Sequence, residues 1–381
     1  MLGSCFIGFC MLIALLGYSI TPDSTPMAND MVLQLGAKSP GVVTQMLLIK
    51  KNNESKTCGF LQKLKHGCDS KYDMMPYATL GYKNEKIIYT EYTSSGRLGM
   101  EKEIAIVDVL GIKNGYNGID TVLIVGNEIR YIKNNIATVL TLDEAQREIT
   151  KSHITQKKYW LGTDKFGRDI LSRLMIGVRI TLSVGLIAVL ISLLIGVSLG
   201  AIAGYFRGWV DDVIMWLINV IWSIPTLLLI FAITLAFGKG FGVIFIAVGL
   251  TMWVEVARII RGQILSLREK EFVEAARSLG FSHTRIIFLH LLPNCMGPML
   301  VIAASNFATA IIVEAGLSFL GIGVQPPQPS WGSMMKENFE MIIGHNPMLA
   351  IIPGISIMLV VLAFNFLGNG LRDAFDVKGK L

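Results

Sequence analysis

Long apolar runs constrain this chain more than any other feature. Of its 381 residues, 52% are hydrophobic and only 16% are charged. An α-helix needs about 20 apolar residues to cross the hydrocarbon core of a bilayer. Six runs approach that length with few charges, at residues 2–20, 180–206, 213–237, 241–256, 296–313 and 350–367. The sequence therefore predicts an all-α polytopic membrane protein with six transmembrane helices.

The first run, with residues 1–20 as transmembrane helix 1, is predicted to be retained. It has no basic n-region, and the sequence TPDSTP follows it where a cleaved signal peptide would have small residues. A cleaved signal peptide is the alternative. Two other runs contain a proline, Pro225 and Pro353, and we expect these helices to tolerate it because neighbouring helices can satisfy the freed carbonyl groups.

The orientation follows from the loop between the fourth and fifth runs. Short loops rich in Lys and Arg lie on the cytoplasmic side, and this loop carries Arg258, Arg261, Arg268, Lys270, Arg277 and Arg285. Six spans then place both termini in the cytoplasm and residues 21 to about 175 outside it. Arg207 after the second run, together with Arg372, Lys378 and Lys380 in the tail, agrees with this topology.

Residues 21–158 are polar enough to fold in water and predict an inserted, β-rich extracytoplasmic domain between helices 1 and 2. Strand-like runs occur at 42–49, 86–92, 103–109 and 121–125, with turn signals at Asn114-Gly115 and Asn117-Gly118. A polar helix over 142–155, capped by Thr141, is expected to end the domain. A structural or docking role fits it best.

Charge and motifs exclude several other classes. Lys and Arg outnumber Asp and Glu only by 18 to 15 over residues 21–158 and by 16 to 13 over 159–381. The basic residues after 158 cluster between apolar runs, as in loops beside a membrane, so we predict no binding of nucleic acid. His66 and His153 are too isolated to form a metal pair, and no hydrolase motif occurs. We therefore predict no catalytic residue and no metal site. Cys58 and Cys68 can pair only if the fold brings them together.

Residues 160–179 predict an amphipathic segment at the membrane surface. Thr163 and Asp164 are expected to cap a helix whose polar face carries Arg168 and Arg173. Its apolar residues recur at helical spacing: Ile170, Leu171, Leu174 and Met175. The alternative is that this segment is only the start of the second span, from which the arginines extend their charged ends to the membrane surface.

The loop 257–293 is too polar to span a membrane and predicts two short helices that are separated at Gly280. Helical spacing places one apolar stripe toward packing and charged residues on the other side, with Ser282 as the cap of the second helix. The stripe consists of Phe272, Ala275, Ala276 and Leu279, and the charged residues are Glu271, Glu274 and Arg277. By spacing alone, an ordinary cytoplasmic helix hairpin explains this pattern.

The string EFVEAARSLG, followed after nine intervening residues by HLLP, resembles the EAA motif of ATP-binding-cassette (ABC) importer permeases. It departs from the broad motif at His290, where an aliphatic residue is usual. That departure is typical of the C-type dipeptide and oligopeptide permeases, which the chain also resembles through LGTDKFGRD, GYFRGWVDD, SFLGIGVQPPQPSWG and AFNFLGNGLRD. These strings cover residues 159–377 almost continuously, whereas residues 21–158 look like an insertion.

The resemblance implies a MetI-like permease core over 159–381, with residues 257–293 as a cytoplasmic coupling loop in a bacterial inner membrane. It implies that a separate ATPase contacts Glu274, Ala275, Ala276, Arg277, Gly280 and Pro293. The chain has no phosphate-binding loop, so ATP and Mg²⁺ would be bound by that partner and no cofactor by this chain. The implied assembly, in membrane lipid and without nucleic acid, comprises a second permease as a heterodimer, two ATPases and an extracytoplasmic solute-binding protein.

The implied function is import of dipeptides and oligopeptides by alternating access, with no enzymatic step on this chain. The same machinery could import nickel, metal chelates or another small solute. Two readings from other classes are a non-transporting anchor for the outer domain and a membrane-embedded hydrolase, although Ser305 and Ser318 have no His partner within a span. Glu255 and Glu314 are candidates for function or for interfacial capping. The sequence does not identify substrate-binding residues.

Overall fold

The computed structural model describes residues 2–51, 58–93, 99–115, 118–238, 240–343 and 346–375. It divides into two compact units. The sheet unit comprises residues 16–176 and 337–351, and the helical unit comprises residues 1–15, 177–336 and 352–381. Each unit is described by itself below.

The described residues form eight β-strands and thirteen α-helices. The strands are β1 Val42–Lys50, β2 Tyr72–Lys83, β3 Lys86–Glu91, β4 Glu101–Ala105, β5 Ile119–Val125, β6 Glu128–Lys133, β7 Ile136–Thr141 and β8 Ile154–Tyr159. The helices are α1 Leu2–Ile20, α2 Phe60–His66, α3 Ile106–Val109, α4 Leu142–Glu148, α5 Ile170–Phe206, α6 Gly208–Trp222, α7 Thr226–Phe237, α8 Phe241–Arg268, α9 Glu271–Ser278, α10 His283–Arg285, α11 Met296–Leu320, α12 Trp331–Glu337 and α13 Met348–Phe375.

The sheet unit contains two antiparallel sheets. Five strands pair in the order β4-β3-β2-β1-β8, and three pair in the order β5-β6-β7. Leu47 on β1 lies opposite both Met75 and Ile154, and it is fully buried in one core with Ile87 and Ile129. The β-rich character expected for residues 21–158 is therefore present in the structure.

Three of the four strand-like runs predicted for this region are strands in the structure, to within two residues. The runs at 42–49, 86–92 and 121–125 lie in β1, β3 and β5. The run at 103–109 was wrong in its second half, because β4 ends at Ala105 and α3 follows. Ile106 and Val109 are both fully buried, which is the i, i+3 spacing of a helix.

Thr141 caps α4 as predicted, in a reciprocal capping box. The Glu144 N–H donates to Thr141 Oγ1 over 3.3 Å, and the Thr141 N–H donates to Glu144 Oε2 over 3.0 Å. These hydrogen bonds from Thr141 hold the pKa of the Glu144 carboxyl below its usual value. The helix is shorter than the predicted 142–155, because the chain leaves it through a π-turn and pairs as β8 with β1.

The turn signals and the cysteines of the sheet unit are also resolved. Gly115 and Gly118 have φ of +77° and +72°, the left-handed conformation that Asn-Gly turns favour, while Asn117 lies outside the described residues. Cys58 and Cys68 form a disulfide with Cα atoms 6.1 Å apart. The fold thus settles the pairing that the sequence left open.

Five helical segments of the described chain are long and apolar enough to cross a membrane. The number rises to six if one bent pair of helices is counted as a single span. The bent pair is α6 and α7, which meet at 89°. The expectation that Pro225 sits inside a helix was wrong: α6 ends at Trp222, and Pro225 precedes α7. Proline lacks an N–H and clashes with the preceding turn, so a break is the relaxed solution. Pro353, by contrast, lies within α13.

Small residues allow the helices of this unit to approach closely. A Cβ atom on Gly249 of α8 would lie 2.7 Å from Cβ of Ile191 on α5. Phe307 on α11 and Phe364 on α13 stack with centroids 4.0 Å apart. Close packing of this kind replaces the hydrophobic driving force that lipid removes.

Candidate functional site

The fourth helical span was predicted to end at residue 256, but α8 continues to Arg268, so the first third of the predicted coupling loop 257–293 is part of that helix. After α8 the coupling loop forms the short helix α9. The helix ends in a Schellman motif around Gly280, whose φ is +77°. The Gly280 N–H donates to the Arg277 carbonyl over 2.9 Å, and the Phe281 N–H donates to the Ala276 carbonyl over 3.2 Å. The predicted break at Gly280 is confirmed.

The buried face of α9 is not the predicted stripe. Val273 and Ala276 are buried, with 0% and 4% of their surface exposed. Phe272 is 42% exposed and Leu279 72% exposed, and Ala275 is also exposed, so most of the predicted stripe points away from the core. The error arose because spacing identifies a helix face but not which face the rest of the chain covers.

Val273 and Ala276 pack into one core with residues of α5, α8 and α11. The cluster includes Ala201, Tyr205, Val256, Ile260, Ile264, Ile286, Ile287, Leu291, Cys295 and Ile302. Because these side chains come from three long helices, α9 is fixed against the ends of those helices.

Tyr205, near the end of α5, contacts Arg277 and His283 of the coupling loop and was not identified from the sequence. The Arg277 guanidinium lies 5.4 Å from the Tyr205 ring centroid, and Arg268 donates to the Tyr205 carbonyl. The Tyr205 hydroxyl lies 2.8 Å from Nδ1 of His283, within hydrogen-bond distance. The signal was available, since Tyr205 belongs to the GYFRGWVDD string, but no spacing rule links it to Arg277.

The second half of the loop turns back toward α11. Ser282 caps α10 as predicted, accepting from the Arg285 N–H. His290 stacks on Phe281, with ring centroids 5.7 Å apart and planes at 14°. The chain then passes through a π-turn and a 3₁₀-turn that contains the exposed Pro293, which cannot donate within a regular helix.

Two ion pairs connect residues near the end of α8 to residues at and after the end of α5. Arg261 on α8 and Asp211 on α6 form a bidentate pair with both N–O distances at 2.6 Å. Arg207 lies 2.7 Å from Glu269, just before α9. The bidentate pair adds orientation as well as energy, because the planar guanidinium matches the carboxylate in only one geometry.

The six predicted coupling residues divide by position. Glu274, Ala275, Arg277 and Gly280 are exposed along α9 and its C-terminus, whereas Ala276 is buried beneath them. Pro293 is exposed but lies beyond α10. An incoming protein surface can therefore reach five of these residues, while Ala276 acts by anchoring the helix.

The segment 160–179 differs from the predicted amphipathic surface helix. The helix begins at Ile170, and Asp169 rather than Thr163 or Asp164 caps it, accepting from the Ser172 N–H over 2.9 Å. Burial raises the pKa of the Asp169 carboxyl, partly offset by its hydrogen bonds with Ser172.

Arg168 and Arg173 are buried within the sheet unit rather than facing a membrane surface. Arg168 lies 2.6 Å from Asp164 and also pairs with Glu337, which lies 3.4 Å from Arg173. Two guanidinium groups and two carboxylates balance in charge, as buried charges require, although Nε and Nη1 of Arg173 form no hydrogen bond among the described residues. The outward polar face expected for these arginines was therefore wrong.

The two membrane carboxylates have different surroundings. Glu314 lies inside α11 rather than at its end, and it is buried with Ser318 Oγ donating to Oε1 over 2.6 Å. Glu255 is exposed on α8. Among the residues that the structure describes, no three His, Cys, Asp or Glu side chains converge to hold a metal ion.

Comparison with known proteins places this arrangement in a family. A family model described as binding-protein-dependent transport system inner membrane component matches residues 196–378. The dipeptide transport system permease protein DppC of Alkalihalophilus pseudofirmus is 43% identical over 223 residues, which cover 58% of this chain and 73% of that protein. The glutathione transport system permease protein GsiD of Pectobacterium atrosepticum is also 43% identical over 223 residues, which cover 58% of this chain and 73% of that protein.

Among solved structures, the chain is similar to one of the MetNI methionine ABC transporter in inward-facing conformations. The match has a TM-score of 0.46 and 19% sequence identity, and it covers 54% of this chain and 96% of the other.

A core of long apolar helices and relatives of this kind define a membrane permease. The chain belongs to the family of binding-protein-dependent transport system inner membrane components. It is a permease subunit of an ABC importer of the dipeptide and oligopeptide type, and a multi-pass inner membrane protein.

Proposed function

We propose that this subunit imports short peptides and that α9 is the helix through which a separate ATPase drives it. One observation carries the proposal: α9 is anchored by Val273 and Ala276, while its opposite face exposes Phe272, Ala275 and Leu279. Exposed apolar side chains at these spacings, beside a small residue that permits close approach, fit a helix that inserts into a groove of a partner.

Charge adds specificity to this face. Glu271 and Glu274 lie in the first turn of α9, where the helix dipole favours carboxylates, and Arg277 lies in the last turn. A partner groove is expected to present a cation near the N-terminus of α9. Such pairs fix orientation and register more than they add affinity.

The mechanism is a shift between conformational states rather than a chemical step. Closure of two ATPases around ATP and Mg²⁺ would move α9, and the shared core would carry that movement into α5, α8 and α11. The helices would then alternate between inward-facing and outward-facing states. A ligand shifts such an equilibrium only by its differential affinity for the two states.

Peptide cargo is supported by the names of the relatives, a dipeptide permease and a glutathione permease. We further propose a second permease chain, two ATPases and an extracytoplasmic solute-binding protein as partners. The termini would be cytoplasmic and residues 21–175 outside. The Lys and Arg residues at the end of α8 and along the coupling loop support a cytoplasmic position for that loop. The Cys58–Cys68 disulfide supports an outside position for its segment, because disulfides persist in oxidising compartments.

The test is co-purification of the ATPase with loop variants in mild detergent. Glu274→Lys reverses a charge on the exposed face, and Ala275→Trp fills the space that close approach requires. We expect both to lose at least 10-fold of the bound ATPase and of ATP-dependent peptide uptake, while membrane insertion is unchanged. Ala137→Trp, at an exposed position on β7, is the matched control. Unchanged ATPase recovery with both loop variants would disprove the coupling role.

A further inference from the structure

A cavity of about 590 Å³ opens within the helical unit, among α8, α11 and α13. Its lining residues are Ile259, Gln263, Gly297, Pro298, Val301, Ile302, Ser305, Arg372 and Phe375. Ligand pockets for small molecules have volumes of roughly 300 to 1,000 Å³. The cavity is therefore large enough for a short peptide.

The lining combines one cation with two neutral hydrogen-bonding groups and apolar walls. Arg372 provides the cation, and Ser305 and Gln263 provide a hydroxyl and an amide. Within the described part of the chain, Arg372 forms no ion pair. A guanidinium with no acidic partner among the described residues, beside a hydroxyl and an amide, favours an anionic ligand group, and a carboxylate can bind it with two parallel hydrogen bonds.

The cavity lies at the end of the helices to which the coupling loop is attached. Gln263 is in the last two turns of α8, in the part of the predicted coupling loop that continues this helix. Gly297 and Pro298 are in the first turn of α11, directly after the loop, and Arg372 is in the last turn of α13. Under the proposed topology this is the cytoplasmic end of the pathway.

Exposed polar residues extend from the cavity along the same three helices. Thr309 lies one turn beyond Ser305 on α11, and Glu255 lies two turns before Gln263 on α8. On α13, Asn365 and Asn369 precede Arg372 at one-turn intervals. Side chains of this kind are costly against lipid and mark a water-filled path. The cavity therefore continues a polar stripe rather than a lipid-facing surface.

We propose that this cavity is an exit subsite, in which Arg372 binds the free α-carboxylate of a transported peptide before the peptide enters the cytoplasm. The proposal rests on the peptide-import function proposed above. Gln263 and Ser305 hydrogen-bond the same end of the peptide, and Val301 and Phe375 contact an apolar side chain. Because the carboxylate is common to all linear peptides, the subsite accepts many sequences.

Binding measurements on the complete importer in nanodiscs, without ATP and without the solute-binding protein, test the subsite. An apolar dipeptide with a free carboxylate is compared with its C-terminal amide by isothermal titration. We expect the wild type to bind the free acid at least 10-fold more tightly. Arg372→Gln should abolish this preference. Arg372→Lys should keep part of it, because lysine retains the positive charge but lacks the planar guanidinium that forms two parallel hydrogen bonds. Lys133→Gln, which removes an equal charge from β6, should match the wild type.

Three outcomes would overturn the subsite. They are equal binding of acid and amide by the wild type, an unchanged preference in Arg372→Gln, and displacement of the peptide by inorganic phosphate at the same concentration as by free peptide. The last would identify a general anion site. Co-purified ATPase and ATP-driven uptake by the wild type are recorded in parallel. Loss of uptake in the wild type would contradict the import function itself, whereas intact uptake with unchanged preference contradicts only the subsite.

Discussion

At the scale of single residues, Gly280 controls how α9 ends. Its φ of +77° is in the left-handed region, and a Cβ there would meet no atom within 4 Å. The constraint is therefore conformational and not steric. A side chain in this conformation costs about 1–2 kcal/mol, which Gly avoids.

Substitution of Gly280 should loosen α9 before it affects the rest of the chain. We expect Gly280→Ala to destabilise the helix end by about 1 kcal/mol and Gly280→Val by about 2 kcal/mol, because a β-branched residue tolerates positive φ least. Hydrogen exchange of the amides of residues 273–279 should accelerate accordingly. Gly8→Ala, at an open position in α1 without positive φ, should leave that exchange unchanged. Unaltered exchange in Gly280→Val would contradict the strain argument.

At the scale of elements, the start of α5 depends on a charge cluster from distant parts of the sequence. Arg168 and Arg173 are almost fully buried, and Glu337 is 169 residues beyond Arg168. Asp164 alone cannot balance two guanidinium groups. The cluster therefore joins residues 337–351 to the rest of the sheet unit through charge, and the charge balance depends on Glu337.

Removing the charge of Glu337 should be strongly destabilising. We expect Glu337→Gln to lower stability by about 3 kcal/mol, because it leaves a buried guanidinium without compensation. The readout is the thermal unfolding midpoint of the detergent-purified protein. Glu340→Gln, in the exposed turn that follows, is the matched control and should change the midpoint little. Equal midpoints for the two variants would show that the cluster contributes no net stability.

At the scale of the whole molecule, two units with different chemistry occur in one chain. The sheet unit has a buried apolar core that includes Leu47 and Ile129, as a domain that folds in water has, and it contains a disulfide. The helical unit instead exposes apolar surface along most of its long helices. These surfaces suit water and lipid, respectively. The proposed topology follows from this difference together with the positive charges of the coupling loop.

Protease added to intact spheroplasts tests that topology. We expect cleavage within residues 21–158 and protection of the coupling loop, because the membrane separates the two. Permeabilised membranes should expose Lys270 and Arg277 to trypsin as well, which controls for loops that resist cleavage. Protection of residues 21–158 in intact spheroplasts would reverse the orientation.

The sequence by itself determined the features that are encoded within a few residues. Apolar run length, the strand-like run of β1, the cap at Thr141 and the break at Gly280 each depend on neighbours that are close in the sequence. The same holds for Ser282 as the cap of α10. These signals are local hydrogen bonds and local burial periods, so no tertiary information is needed to identify them.

Only the tertiary structure decided which surfaces meet. Helical spacing proposed Phe272 and Leu279 as the packed face of α9, but the positions of α5, α8 and α11 bury Val273 and Ala276 instead. Residues far apart in the chain likewise became partners, as Arg168 and Glu337 did, and the cavity at Arg372 formed from three helices. A single sequence specifies the period of each element, whereas the choice of covered face depends on how distant segments return and pack.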